Sequence, residues 1–367
     1  MVSRVSIVIL VTAAAGFADT AGDAQRGQEL FRIQNCVECH TVAGKGASSP
    51  RGPDLGVRRG RDFTPASLAT LMWNHAPAMW SAMDAQNTRR EELTDQNAAD
   101  LFAFFYAAGF FEQPGDAGRG KSLFSTKGCA ACHTSGPGKP VGEWQAVSDA
   151  ISLAHQMWNH ISYMQEAMAK KKIRRPALTA QELRDLCVYV LSLPQHRGRP
   201  MAFTLASSAG GEELFKAKGC VECHTGKDSL EGKLANESLT GLAAQMWNHA
   251  LKMVRMPPGL TEDEMRRVIS YVWARQFFDG AGNSSRGRRV FSAKGCAGCH
   301  EGSSPSAPAL PKSGSRYSSP AIIAGLWKHG PTMLAQMRQR SMAWPQFKSS
   351  EMSDLVAYLN APGSGKP

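Results

Sequence analysis

The residues with the clearest chemistry in this chain of 367 residues are its nine cysteines. Eight of them occur in a five-residue pattern, Cys-x-x-Cys-His, that is found four times. The two thiols can add across the vinyl groups of a porphyrin, and the following His is then placed under the iron, so the pattern is that of covalent haem c attachment. The four sets are Cys36, Cys39 and His40; Cys129, Cys132 and His133; Cys220, Cys223 and His224; and Cys296, Cys299 and His300.

Two other uses of paired cysteines fit this sequence less well. A zinc site would need a second cysteine pair for each metal, and a thioredoxin-like redox pair would need a βαβ context. The sequence offers neither, and it therefore predicts four covalently attached haem c groups, each with its iron. The remaining cysteine, Cys187, lies in the apolar helical run 183–193 and is interpreted as a small buried hydrophobic residue.

A second group of possible iron ligands follows each motif. A haem that only carries electrons has a second axial ligand, whereas a haem used for catalysis leaves that position open. Each copy offers one His and then two Met at helical spacing. The His are His75, His160, His249 and His329, the Met four residues later are Met79, Met164, Met253 and Met333, and the last Met are Met83, Met168, Met256 and Met337.

The sequence leaves the choice among these ligands open. A Met row at helical spacing is more often core than ligand, but four such rows beside four haem motifs favour one iron-bound Met in each copy. The earlier Met keep an invariant spacing from the His, and Met342 adds a candidate in the fourth copy. The four His are the other alternative and would give bis-His haems of lower potential. Their simpler role is a hydrogen bond to a propionate or to backbone, beside a Trp whose indole N–H can do the same.

The elements that must position these groups recur with the same period. Upstream of each motif a Gly precedes a Phe by four residues, as Gly27 precedes Phe31, so both lie on one helical face. A Gly inside a helix costs about 1 kcal/mol relative to Ala, which indicates that another helix crosses closely there. Each copy ends in an amphipathic segment with an aromatic residue, and two of these segments begin with capping boxes, Thr179 with Glu182 and Thr261 with Glu264.

This order of elements resembles class I cytochrome c, over nearly the whole chain and four times in succession. The resemblance implies an all-α fold in which the first and last helices of each domain cross and the rest wraps one covalently bound haem c. Four tandem domains are predicted, which are called repeats 1 to 4 below, after a signal peptide. The boundaries are 1–21 for the signal peptide, then 22–112, 113–198, 199–279 and 280–367.

The resemblance also bears on both faces of each haem. Met256 precedes two prolines, as in the loop that delivers the ligand in short bacterial cytochromes of this class, which favours Met83, Met168, Met256 and Met337 as distal ligands. In the family a Pro carbonyl orients the motif His. Pro53 fits this role in repeat 1, whereas repeat 3 has no Pro before Trp247, so its haem is predicted to differ in potential. The candidates in repeats 2 and 4 are Pro137 or Pro140 and Pro308 or Pro311.

Charge and the N-terminus suggest where the protein works. The formal charge is +11, but four haems would add about eight propionate charges, so nucleic acid is a poor candidate partner. A basic start, an apolar run over 5–15 and small residues favour a secretory signal cleaved between Ala15 and Ala21 over an uncleaved anchor. We therefore expect export to a bacterial periplasm, with membrane association or an extracellular position as alternatives.

Four fused haem domains predict a protein that passes single electrons between a periplasmic donor and an acceptor complex, and not an enzyme. The alternatives are a haem enzyme with one open site, such as a peroxidase, the cytochrome subunit of a dehydrogenase or reductase, and a filament of stacked copies. Basic runs predict docking of acidic redox proteins or a membrane respiratory complex, although a solvated surface explains them equally well. These runs are 170–175, Arg89 with Arg90, Arg338 with Arg340, and Arg255 with Arg266 and Arg267.

Overall fold

The computed structural model describes residues 21–42, 45–46, 51–55, 64–109, 114–144, 147–196, 204–230, 233–234, 237–253, 258–276, 282–302, 307–310 and 317–361. These residues are mostly helical. The predicted signal peptide, 1–21, lies outside them except for its last residue, Ala21. The proposed ligand Met256 also lies outside them. Among the described residues, no helix combines the length and the apolar character needed to cross a bilayer.

The helices follow one another in a repeating order. In repeats 1 and 2 they are α1 Ala24–Ile33, α2 Pro65–Ala85, α3 Asp95–Gly109, α4 Ala117–Thr126, α5 Ala130–His133, α6 Ala150–Asn159, α7 Ile161–Lys170 and α8 Ala180–Ser192. In repeats 3 and 4 they are α9 Gly211–Ala217, α10 Leu239–His249, α11 Glu262–Ala274, α12 Ser284–Ala293, α13 Ala297–His300, α14 Ser319–Gln339 and α15 Ser349–Leu359.

Shorter elements complete the description. The 3₁₀ turns are Cys36–Glu38, Val141–Glu143, Pro194–His196, Cys220–Glu222, Gly226–Asp228 and Ala250–Lys252. The strands β1 (Thr41–Val42) and β2 (Lys45–Gly46) form one antiparallel pair, with Thr41 opposite Gly46 and Val42 opposite Lys45. The predicted capping boxes are confirmed at the starts of α8 and α11.

The first and last helices of each repeat cross at the predicted glycines. α1 packs on α3, α4 on α8, α9 on α11 and α12 on α15. A Cβ built on Gly27 would lie 1.9 Å from the carbonyl oxygen of Asp100, and one on Gly287 would lie 1.9 Å from that of Asp354. No side chain fits such a gap, so the prediction of close helix crossing is confirmed. One turn further on, the Phe meets the C-terminal aromatic residue, as in Phe31 with Phe104 at 5.6 Å between ring centroids.

A hydrogen-bonded Asp–Arg ion pair links the two helices at three of these crossings. Asp354 is buried and accepts hydrogen bonds from the backbone N–H of Asn283 and from the guanidinium of Arg286. Asp100 with Arg26 and Asp185 with Arg119 repeat the arrangement. Repeat 3 has Arg267 at the corresponding position, and this side chain pairs instead with Asp263 on its own helix.

The repeats pack in two couples, in which the first repeat lies against the fourth and the second against the third. α2 of repeat 1 packs against α14 and α15 of repeat 4, while α6 of repeat 2 packs against α10 and α11 of repeat 3. A buried ion pair lies in the second couple, where both oxygens of Asp149 accept from Arg266 at 2.8 Å. Repeat 1 also contacts repeat 3, because Asp23 accepts from the backbone N–H of Ser208 at 2.8 Å.

Candidate functional site

Each haem motif is preceded by a residue with a left-handed backbone conformation. The residue before each first Cys has a positive φ: Asn35 (58°), Gly128 (83°), Gly219 (77°) and Gly295 (79°). A turn follows, in which the N–H of the motif His bonds to the carbonyl of the first Cys, at 2.9 Å in the case of His40. A left-handed residue is rare outside Gly and Asn, so each motif is presented by a locally specified turn.

The motif cysteines are free thiols in the structure. All nine cysteines lie in the described part of the chain, and none forms a disulfide there. Burial raises the pKa of the Cys36 thiol to about 12 and that of Cys296 to about 11. A raised pKa favours the protonated thiol, which is a weaker ligand for a bare metal ion than a thiolate.

Backbone carbonyls orient three of the four motif imidazoles. The Nδ1 atom of His40 lies 3.0 Å from the Pro53 oxygen, and that of His300 lies 2.9 Å from the Pro308 oxygen. Such a bond holds the proton on Nδ1 and directs the Nε2 lone pair towards a metal.

Repeats 2 and 3 lack a Pro carbonyl as the acceptor for the motif His. In repeat 2 the acceptor for His133 is the carbonyl of Lys139 at 3.0 Å, so neither Pro137 nor Pro140 has the predicted role. Sequence reasoning missed it because a carbonyl carries no side-chain signal. Among the described residues, no oxygen accepts from the ring of His224, and the unusual potential of that haem stays a prediction.

Repeat 2 contains a cavity whose size and lining suit a porphyrin. Its volume is about 580 Å³. Cys129, Cys132 and His133 line it, and so do His160 and Met168. Trp144 stands edge-on to the His133 ring, with 5.1 Å between the centroids. An apolar cavity lined by both thiols and an imidazole fits a covalently bound haem.

The middle histidines lie opposite the motif histidines. The ring centroids are 6.4 Å apart for His40 and His75, 6.4 Å for His133 and His160, and 5.8 Å for His224 and His249. Burial and then the neighbouring His40 lower the pKa of His75. Burial also lowers the pKa of His160, against the opposing effect of its hydrogen bond to Gln156. These lower pKa values favour the neutral imidazole of His75 and His160, each of which faces a motif His.

The methionine candidates share the distal segment. The earlier set packs against the hydrophobic core, as Met79 and Met333 do. The later residues Met83, Met168 and Met337 are half-buried, and Met256 lies outside the described residues. Met342 lies beside the fourth motif, since its Cε would be 3.2 Å from a Cβ on Gly295. The prediction of a Met ligand in each repeat remains a prediction.

The Trp and Asn beside each middle His have a role that the sequence did not reveal. The Trp158 indole donates to the Pro258 carbonyl at 2.8 Å, and Asn159 exchanges two hydrogen bonds with the backbone of Leu260. The reverse contacts run from Trp247 to Pro176 and between Asn248 and Leu178. They join repeats 2 and 3 in a two-fold manner.

Repeats 1 and 4 use the same contacts with one exchange. Trp73 donates to the Pro345 carbonyl at 2.9 Å, and Asn74 bonds to the backbone of Phe347. In repeat 4 a Lys replaces the Asn, and Lys328 pairs with Glu92 of repeat 1 at 2.7 Å. The recurrence of Trp-Asn in three repeats is the sequence signal from which a shared role could have been inferred.

Several basic residues predicted for docking have internal partners. Arg266 is buried on Asp149, and Arg175 stacks over Trp247 at 4.5 Å. Neither is available to an outside protein. Within the run 170–175, Lys170, Lys171 and Lys172 are exposed, and Arg255 lies outside the described residues.

Comparison with known proteins gives one family. Residues 24–106 and 284–361 match the cytochrome c family profile. The two matches support a c-type cytochrome family for the chain and a haem-binding protein that transfers electrons. No curated protein and no solved structure matches it.

Proposed function

We propose that the protein is a four-haem electron carrier, with one covalently attached haem c in each repeat. The observation that carries this proposal is the cavity of repeat 2, which lies outside both matched regions and is still lined by two thiols and an oriented imidazole. The motif turn recurs before Cys220 of repeat 3. Repeats 2 and 3 thus share the motif turn with repeats 1 and 4, and repeat 2 also shares the oriented imidazole.

The chain's own residues then have distinct tasks. Bound haem supplies reversible one-electron chemistry. The cysteines would hold the porphyrin through thioether bonds, and the motif histidines would bind its iron. The carbonyls of Pro53, Lys139 and Pro308 hold three of these rings in position. A second iron ligand would come from the row of His and Met in the middle segment, where the sequence predicts Met83, Met168, Met256 and Met337.

Fusion and coupling of the repeats support transfer along the molecule. Linked domains hold their haems at high effective concentration relative to one another, so internal transfer needs no repeated collision. The two couples bring repeat 1 to repeat 4 and repeat 2 to repeat 3. We propose export to the periplasm after removal of residues 1–21, and docking of a redox protein donor and acceptor through exposed lysines such as those at 170–172.

A redox titration of the purified holoprotein tests the proposal. An electron carrier with closed haems takes up and releases four electrons reversibly, and its reduced form does not bind carbon monoxide at neutral pH. A carrier docked by lysines also exchanges electrons with an acidic partner more slowly as salt rises. Carbon monoxide binding to one reduced haem would instead favour an enzyme with an open site.

A further inference from the structure

The spacing of three histidine pairs carries an inference about the distal ligands. An imidazole nitrogen binds a first-row metal at about 2 Å and lies roughly 1 Å from its ring centroid, so two rings on opposite sides of one iron have centroids roughly 6 Å apart. The pairs in repeats 1, 2 and 3 are separated by 6.4, 6.4 and 5.8 Å. Their planes are inclined by 68°, 81° and 50°, so the rings are not stacked on each other.

The hydrogen bonds of His160 agree with a ligand role. Its Nδ1 atom lies 2.6 Å from the carbonyl oxygen of Gln156, an acceptor that needs a proton on that nitrogen. The Nε2 atom of the neutral ring is then the one with the free lone pair. Metal-bound histidines typically donate their other N–H to a carbonyl in this way. The facing ring of His133 is held through the same nitrogen by the carbonyl oxygen of Lys139.

The methionines are displaced along the same segment. A helix rises 1.5 Å per residue, so a Met four residues on is roughly 6 Å away and one eight residues on is roughly 12 Å away. In the continuous helix α2, Met79 and Met83 stand in this relation to His75. If His75 lies over the iron opposite His40, these two residues are centred roughly 6 and 12 Å further along the helix.

We infer that His75, His160 and His249 are the distal iron ligands, so that repeats 1, 2 and 3 hold bis-His haems. The described residues of repeat 4 show no ring contact between His300 and His329, and this repeat keeps the predicted Met337. The inference rests on the proposed function, because it needs a haem at every motif. Met ligation raises the potential of a haem. The haem of repeat 4 is then the most oxidising of the four, and the electrons of a partly reduced molecule collect there.

The near-infrared charge-transfer band of ferric Met-ligated haem tests the inference. Haem content from the pyridine haemochrome fixes the number of haems independently, so a failure of the proposed function appears as a count below four. With four haems present, the band of the wild-type protein is expected at no more than one haem equivalent. An intensity of two or more equivalents overturns bis-His ligation in at least one of repeats 1 to 3.

Variants assign the result to a repeat. His160→Met supplies a Met at the proposed ligand position, and the band is expected to rise by one haem equivalent. Met164→Leu and Met168→Leu are matched controls and are expected to leave the band unchanged, whereas Met337→Leu removes it. Loss of one equivalent in Met164→Leu or Met168→Leu overturns the assignment of His160, and this readout is independent of whether His160→Met folds.

Discussion

At the scale of single residues, three of the four motif histidines have their tautomer fixed by a hydrogen bond to the backbone. The Nδ1 atoms of His40, His133 and His300 all face backbone carbonyls at 2.9–3.0 Å. A carbonyl cannot donate, so it fixes the tautomer whatever residue supplies it. This explains why Lys139 can take the place expected of a Pro: the loop must bring an oxygen to the ring, and its side chain is not involved.

Cys187 provides a test at the same scale. Its side chain is fully buried in α8, and burial raises the pKa of its thiol to about 12. We expect the native holoprotein to have no thiol that reacts with an alkylating reagent at pH 8, and the unfolded holoprotein to have one, as counted by mass spectrometry. Rapid alkylation of the native protein would contradict the burial of Cys187, and Cys187→Ala serves as the control with no reactive thiol in either state.

At the scale of helices, the glycine crossings determine how each repeat closes. Gly287→Ala places a methyl group 1.9 Å from the Asp354 oxygen, so α12 and α15 must separate. We expect a loss of about 1–3 kcal/mol in the free energy of unfolding, measured with denaturant on the holoprotein.

The control for this change is a glycine in an open place. Gly325 lies in α14 with no heavy atom within 4 Å of a built Cβ. Gly325→Ala is expected to stabilise the protein by about 0.5–1 kcal/mol, through the helix preference of Ala. Equal effects of the two substitutions would contradict a specific role for the crossing at Gly287.

The Asp354 contact predicts a dependence on pH. The hydrogen bond from Arg286 keeps the pKa of Asp354 below its ordinary value. The carboxylate therefore stabilises the folded chain above the unfolded pKa of about 3.9, and this stabilisation is lost as the pH falls through the lower folded value. Arg286→Met should lower the thermal unfolding midpoint at pH 7 and much less at pH 3. An equal decrease at both pH values would show that Arg286 acts through packing alone.

The sequence predicted the helices and their crossings better than the contacts between repeats. Gly27 and Phe31 carry a side-chain pattern that only a close helix pair explains, and the structure confirms it. The bonds of Trp158 and Asn159 go to the backbone near Pro258 and Leu260, which has no residue-specific signature. For repeats 1 and 4 a sequence signal of their contact does exist. Lys328 stands where the other repeats have an Asn, and its partner Glu92 stands where they have an uncharged residue.

At the scale of the whole molecule, the couples bring the first and last repeats together. The chain therefore folds back on itself, and a haem in repeat 1 has repeat 4 beside it as well as repeat 2 after it in sequence. The contact of Asp23 with Ser208 adds a link between the couples. If repeat 4 holds the haem of highest potential, repeat 1 is its nearest source of electrons.

The ion pair of Asp149 and Arg266 tests the coupling of repeats 2 and 3. Both side chains are buried, with 2 % and 8 % of their surface exposed. Asp149→Asn leaves a buried guanidinium with weaker compensation, and we expect a loss of about 3 kcal/mol in the free energy of unfolding. The double variant with Arg266→Met should recover most of it, because it also removes the buried guanidinium that Glu262 alone would compensate. Additive losses in the two single variants would contradict a direct pair.

The intact mass of the purified, exported holoprotein tests the central claim most directly. The account predicts the mass of the chain after removal of its signal peptide plus four haems, bound so firmly that they persist under denaturing conditions. Variants with Cys129 and Cys132 both changed to Ala should lose one haem and keep three. A mass with only two haems, restricted to the regions that match the cytochrome c family, would contradict a four-haem carrier.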